Sequence, residues 1–273
     1  MKTRKWNQPI VYILLIGYSV ITVIPFLWAL FASFKPLNEI VGSFSFFPET
    51  WTLDNYRYIL ETQPLFLRWL GNSVLIAVVG TMLNLLFNSM AGYALARINF
   101  RGRKSMFLLV LAVLMIPAQV TMIPNYLILN SLGWLNTYQG MIVPAMINAT
   151  FIFMMRQFFV NFPREVEEAA AVDGLSRFGT FFRIVLPMAK PALFAQAIFV
   201  FMGIWNDFMR PLIVMTDASM YTLPVGLNAF QTENVSFWNY VMSASMIFTI
   251  PVLLLYAFFN RLFIDGLSFR GDK

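Results

Sequence analysis

Six stretches of roughly twenty residues, almost free of charge, divide this chain: Val11 to Ala32, Trp69 to Ala96, Met106 to Leu129, Tyr138 to Met155, Ala192 to Met209 and Val241 to Asn260. A helix rising 1.5 Å per residue needs about 20 mostly apolar residues to cross the hydrocarbon of a bilayer. Lipid offers the backbone no hydrogen-bond partner, so only helices and closed barrels can span it. These runs are too long and too continuously apolar for barrel strands, which alternate and last about ten residues. Only 12% of the residues are charged, against about a quarter in a soluble domain. The expected fold is an all-α integral membrane protein, one membrane domain over residues 1–273 with six transmembrane helices and no soluble domain.

The first stretch follows Lys2, Arg4 and Lys5, a basic start shared with secretory signals. Its apolar run exceeds the usual h-region of about 7–15 residues, and no small-residue cleavage site follows. It reads as an uncleaved span.

The charges orient the spans. Lys2, Arg4 and Lys5 precede the first; Arg97, Arg101, Arg103 and Lys104 lie between the second and third; Arg156, Arg164, Arg177, Arg183 and Lys190 between the fourth and fifth; Arg261, Arg270 and Lys273 after the sixth. The opposite loops hold Lys35, Arg57, Arg68 and Arg210, diluted by Glu39, Glu49, Asp54, Glu61, Asp217 and Glu233. Basic residues collect on the cytoplasmic side, so both termini are expected in the cytoplasm. The net charge of +6 then reflects topology and calls for no nucleic acid. Between the first two spans, Ser33 to Arg68 forms the largest outer segment. Its Pro48, Trp51 and Tyr56 predict a loop lying on the membrane surface, with a short helix after Asp54.

Catalytic chemistry finds no foothold. Cys and His are absent, which removes disulfides, Cys/His metal sites, thiol nucleophiles and imidazole bases. No Gly-Lys dipeptide exists to build a phosphate loop, and no Gly-x-Ser-x-Gly elbow occurs. The chain is expected to be no enzyme, with no catalytic residue, metal site or cofactor of its own.

Polar side chains inside the spans are candidates for a translocation path: Asn84, Asn88, Gln119, Asn125, Asn148 and Asn206. Thr81, Asn84 and Asn88 share one helical face by their spacing, and Gln196 is a similar outlier. A water-filled route uses such groups. Interhelical hydrogen bonding uses them too, and more often in membrane bundles. Pro117 and Pro124 predict a bent third span, lining a route or simply packing. Asp207 is expected to pair with Arg210 near the outer interface, where a carboxylate costs less than at the bilayer centre.

The least lipid-like stretch is "EEAAAVDGLSRFGTFFRIVLP", Glu167 to Pro187, in the long loop between spans four and five. Pro163 suits a helix start, and Glu165, Glu167 and Glu168 suit the positive end of a helix dipole. Ala169, Ala170 and Ala171 favour helix with little bulk. Gly174 is a natural stop. Ser176 can cap a second short helix bearing Phe178, Phe181, Phe182 and Ile184. Two short helices and a tight turn make a compact knob over residues 163–187, small-surfaced on one side and aromatic on the other. An interfacial amphipathic helix without a partner would share the aromatic half, but not the run of small residues.

This stretch resembles the EAA loop of permease subunits of bacterial ABC importers: Glu-Ala-Ala, two residues, Asp-Gly, a spacer, and an apolar-x-Leu-Pro ending. Glu168, Ala169, Ala170, Asp173, Gly174, Leu186 and Pro187 fall on that pattern. From span two onward, "AGYALARINFRGR", "MIPAQVTMIPNY", "LGWLNTYQGMIVP", "WNDFMRPLIVM" and "YTLPVGL" resemble the carbohydrate-uptake branch, in particular the smaller maltose-type permease. The resemblance implies a heterodimer with a second, related permease, two cytoplasmic ATPase subunits that hold the ATP and magnesium, and an extracytoplasmic solute-binding protein, all at a bacterial inner membrane. It implies that Glu167, Glu168, Ala169, Ala170, Asp173, Gly174, Leu186 and Pro187 contact the ATPase. Glu168 would meet a basic group there, Ala169 and Ala170 would seat the helix, and Gly174 would shape the turn. Relatives often carry a longer basic tail; here Arg270 and Lys273 stand in its place. In maltose-type systems the partner permease can hold most of the solute contacts. A sugar is the leading solute, with a polyol, glycerol phosphate or amino acid as the alternative. A secondary carrier would want buried ionisable groups in the spans, and a non-transporting scaffold would want no ATPase.

Overall fold

The computed structural model describes residues 8–42, 45–228 and 237–268; Lys2, Arg4, Lys5, Glu233, Arg270 and Lys273 lie outside them. The described residues are helical, with no strand among them. In chain order the helices are α1 (Gln8–Ala32), α2 (Leu37–Gly42), α3 (Asp54–Thr62), α4 (Phe66–Arg97), α5 (Arg103–Leu114) and α6 (Met122–Ser131). They continue as α7 (Tyr138–Met146), α8 (Ala149–Val160), α9 (Arg164–Val172), α10 (Arg177–Met188), α11 (Lys190–Trp205), α12 (Met209–Val214), α13 (Leu223–Leu227) and α14 (Trp238–Ser268).

Four segments are long and apolar enough to cross a membrane: Pro9–Ala32, Phe66–Arg97, Tyr138–Val160 and Trp238–Ala257. The pair α10 and α11, bent by 77°, makes a fifth if taken together. The third apolar stretch is two helices rather than one long bent helix. Pro117 has no N–H to donate, and the backbone turns between Leu114 and Met122. Pro124 falls in the first turn of α6, where a missing donor breaks no bond. Among the described residues, four segments and one bent pair thus pass the length-and-hydropathy test, and the third apolar stretch does not, because Pro117 divides a run that a hydropathy window joins.

The chain forms two compact units. The first comprises residues 1–67 and 226–250. Along α1 the apolar side chains from Ile10 to Phe26 are exposed, as for a helix facing lipid or a partner. Beyond it the outer segment is tightly built. Asn55 donates to the carbonyls of Ser33 (2.9 Å) and Lys35 (2.8 Å) and accepts from Asn239 at 2.7 Å. Lys35, only 3% exposed, donates to Ser45 O at 2.7 Å and stands 3.8 Å from Glu39. The amides of Glu49 and Thr50 donate to Glu39. The Glu49 amide holds the Glu39 carboxyl below its ordinary pKa, aided by Thr50 and the Lys35 charge. Phe31, Phe34, Phe46, Phe47, Trp51 and Tyr56 pack ring against ring, so the surface loop folds as an aromatic cap over its own hydrogen bonds.

The second unit comprises residues 68–225 and 251–273. One cluster gathers Tyr93 and Ala96 of α4, Met155 and Phe159 of α8, and Phe181 and Val185 of α10. Gly92 lets α4 and α8 touch: a Cβ there would stand 2.7 Å from Met155 Cβ and 2.8 Å from Arg156 N. A second cluster joins Ile76, Leu129, Met141, Ile142, Val214 and Met215. Next to it Asn136, at φ 56°, accepts from the amides of Thr216 and Asp217 at 2.7 and 2.8 Å and donates to Thr216 Oγ1. Asn tolerates the left-handed region better than other non-glycine residues, and its side chain here staples two loops. Trp69 and Asn72 of α4 donate to the carbonyls of Ala218, Ser219 and Tyr221.

Candidate functional site

The knob read from residues 163–187 is present as α9, a glycine turn and α10. Pro163 stands at the N-cap with Glu165 and Glu167 in the first turn. Asp173 and Gly174 end α9. Gly174 adopts φ +80° with open space around its Cβ position, so the backbone, not crowding, is what selects glycine. The amides of Gly174 and Leu175 donate to Ala171 and Ala170 at 3.1 and 3.0 Å, satisfying carbonyls that the helix end leaves open. Ser176 Oγ then accepts from Gly179 N at 3.2 Å and starts α10. Across Phe181–Val185 that helix widens into a π turn.

The residues on the motif do not share one face. Ala170 is 1% exposed and turned inward, and Leu186 packs on the Tyr93–Phe159 cluster. Glu168, Ala169, Val172, Asp173, Gly174 and Pro187 are exposed. Glu167 is drawn to its own chain: its Oε2 accepts from Arg97 Nε at 2.9 Å, with side chains 7% (Arg97) and 20% (Glu167) exposed. Arg97 is the last residue of α4, so this bond fastens the knob to the long span. Hydropathy alone offered no sign of it; the signal was an Arg at a span end facing a glutamate-rich loop. The aromatic half divides as well. Phe181 is buried in the core, while Phe178 and Phe182 face outward.

At the other end of the unit, α7 and α8 are separated by Ile147 and Asn148 in extended conformation. Such a break frees backbone groups that need partners. Asn88 donates to Met146 O at 3.0 Å and accepts from Asn148 N at 2.9 Å, gripping both sides of the gap. Asn84 donates to Ala145 O at 2.7 Å and accepts from Gln196 Nε2 at 3.0 Å. Asn84, Asn88 and Gln196 are all buried, and their amides bond across the break or to one another. Asn148 Oδ1 caps α8 by accepting from Thr150 N.

Two cavities flank this region. One, of about 380 Å³, is lined by Gln119, Asn125 and Tyr126 with Asp207 and Arg210. The other, of about 370 Å³, is lined by Asn84, Asn148, Phe151 and Phe199, again with Asp207 and Arg210. Pro144 belongs to both. Of the six path candidates, Gln119, Asn125, Asn84 and Asn148 line a cavity. Asn88 is fully buried in the break, and Asn206 lines neither cavity, donating to Met202 O at 2.9 Å. Among the described residues no three acids gather where a metal ion could sit.

The architecture has known counterparts. The structure superposes on a chain from the crystal structure of a bacterial ABC transporter involved in the import of the acidic polysaccharide alginate, with a TM-score of 0.85 over 96% of this chain and 99% of that one. Their sequences are 22% identical, so the likeness concerns the fold. In sequence, the chain is 39% identical to the arabinooligosaccharides transport system permease protein AraQ of Halalkalibacterium halodurans, over 99% of both chains. It is 35% identical to the trehalose/maltose transport system permease protein MalG of Thermococcus litoralis, over 92% of this chain and 91% of that one. It is also 35% identical to the diacetylchitobiose uptake system permease protein NgcG of Streptomyces coelicolor, over 93% and 85%. Residues 88–268, from the Asn88 grip through the knob to the end of α14, match the model of one family. The chain belongs to the binding-protein-dependent transport system inner membrane components, the permease subunits of ABC importers.

Proposed function

We propose that this chain forms half of the transmembrane path of an ATP-driven importer for an oligosaccharide and receives force through the α9–α10 knob. It is read as one membrane domain of six spans in a bacterial inner membrane, with both termini in the cytoplasm. The partners are a second, related permease, two cytoplasmic ATPase subunits that hold ATP and magnesium, and an external solute-binding protein. The three relatives described above are named for arabinooligosaccharide, trehalose/maltose and diacetylchitobiose uptake, which favours a sugar over a polyol, glycerol phosphate or amino acid.

The observation that carries the coupling reading is the division of the two glutamates. Glu167 is bonded to Arg97 at 2.9 Å, whereas Glu168 is exposed beside Ala169 and Val172. One acid fastens the knob to a span; the other faces outward on a surface with little side-chain bulk. A partner gripping Glu168, Ala169 and Asp173 would move α9, and the Arg97–Glu167 bond would carry the displacement into α4. Gly174 sets the turn, while Ala170, Leu186 and Pro187 belong to its support.

The test is the reconstituted importer. Glu168→Lys and Gly174→Asp should leave the chain in the membrane, lower ATPase co-purification and abolish solute uptake. Normal uptake with normal ATPase recovery in both variants would defeat the coupling assignment.

A further inference from the structure

The side-chain contact between Asp207 and Arg210 does little to hold the fold together. The closest side-chain approach, Arg210 Nε to Asp207 Oδ2, is 3.6 Å, with Arg210 42% and Asp207 24% exposed. Pairs so loose and wet stabilise little. Asp207 Oδ1 also accepts from the Arg210 amide at 3.2 Å. At 3.6 Å the side-chain contact is an ion pair and not a hydrogen bond, and among the described residues the guanidinium makes no hydrogen bond, so all five of its N–H donors are open to a ligand. Both charged groups stand on the shared wall of the two cavities. The side-chain amides of Gln119 and Asn125 likewise have no partner among the described residues, in contrast to Asn84, Asn88 and Gln196, which are committed to the helix break. Charged and polar groups left uncommitted on a cavity wall are available to a ligand.

We propose that this subunit itself contacts the solute, at a site centred on Asp207 and Arg210 that takes an uncharged, polyhydroxylated chain with a ring on either side of the pair. The inference rests on the importer reading above and adds where on this subunit the sugar binds and that it is uncharged. A carboxylate beside a guanidinium presents an acceptor and donors a few ångströms apart, which is what two neighbouring sugar hydroxyls require. Each cavity falls within the roughly 300–1,000 Å³ of small-molecule sites. Tyr126 on one side, and Phe151 and Phe199 on the other, offer flat apolar faces for the C–H surfaces of sugar rings. The pair is electroneutral, so an acidic sugar drawn to the free Arg210 donors would lie against the Asp207 charge. Neutral sugars meet no such penalty.

This chain has no cysteine, so label recovered on it reports the introduced thiol alone. In the complete importer, Gln119→Cys and Asn148→Cys place a thiol in each cavity. Both should react with a water-soluble methanethiosulfonate reagent, and arabinotriose should slow each reaction at least tenfold while trigalacturonate does not. In uptake assays the unmodified importer should carry arabinotriose and refuse trigalacturonate. Asp207→Asn, which leaves Arg210 unbalanced, should lower the arabinotriose to trigalacturonate uptake ratio at least tenfold, with ATPase co-purification unchanged. Thiols that fail to react in the assembled importer would mean the partner permease fills the cavities, and the proposal would fall. Labelling without protection by arabinotriose, failure to import arabinotriose, or an uptake ratio untouched by Asp207→Asn would overturn it too. Loss of ATPase co-purification from the unsubstituted chain would instead strike the importer reading.

Discussion

Among its described residues the second unit carries two arginine–carboxylate pairs, and they differ in nearly every physical respect. Arg97 and Glu167 meet at 2.9 Å with little exposure, in the same unit as the buried Tyr93–Phe159 cluster. Asp207 and Arg210 stand 3.6 Å apart, open to two cavities. Removing one partner of a buried pair leaves a charge that water cannot reach, whereas an exposed pair dissolves at little cost. The first is therefore a structural fastening and the second a surface kept available for something else. A guanidinium and a carboxylate serve opposite ends in the two places because burial sets the effective dielectric around them.

The largest predicted effect comes from the packing beneath the fastening. Gly92→Leu would drive a side chain into Met155 and the backbone of Arg156, and because backbone cannot step aside the cost exceeds the ~1–3 kcal/mol usual for overpacking. Detergent-extracted protein should show little folded, assembled permease by size-exclusion chromatography, and a normal yield would contradict the α4–α8 contact. Next comes the fastening itself. Arg97→Ala should destabilise the chain by about 3 kcal/mol, because Glu167 stays part-buried and unpaired. Arg97→Ala with Glu167→Ala together should recover part of that loss in thermal melts. A double variant as unstable as the sum of the singles would remove the pair from the account.

Smaller effects sharpen the contrast. Gly174→Val forces a β-branched residue to φ +80°, a strain of about 1–2 kcal/mol, which should appear as faster proteolysis within residues 164–188. Asp207→Asn should change stability by less than about 1 kcal/mol while changing solute preference, the reverse of Arg97→Ala. The smallest effect lies in the other unit. Glu39 has a folded pKa held below its ordinary value of 4.5. Its contribution is complete above 4.5 and fades as pH falls through the lower, folded value. Tryptophan fluorescence from the Trp51 cap should shift over that acid range, and Glu39→Gln should abolish the shift.

Much of the molecule was legible beforehand, for reasons tied to particular residues. The apolar runs around α1, α4 and α14 could be nothing but long helices. The knob was legible because Pro163, the alanines, Gly174 and Ser176 each act through local backbone preference. The third apolar stretch misled, since hydropathy does not see that Pro117 divides it. The buried amides were ambiguous in principle, because Asn84 in a path and Asn84 in a helix break have the same spacing.

By itself, then, the order of residues determined the helical membrane character, the positions of the turns and the family signature in the loop, all of which follow from neighbours within a few positions. Only the tertiary structure decided that Glu167 turns to Arg97 while Glu168 stays free, that Ala170 faces inward, and that Asn88 mends a broken helix. It alone brought Gln119, Asn148 and the Asp207–Arg210 pair around adjoining cavities. Those outcomes depend on which groups distant in the chain find each other, and burial, not local propensity, sets what each contact is worth.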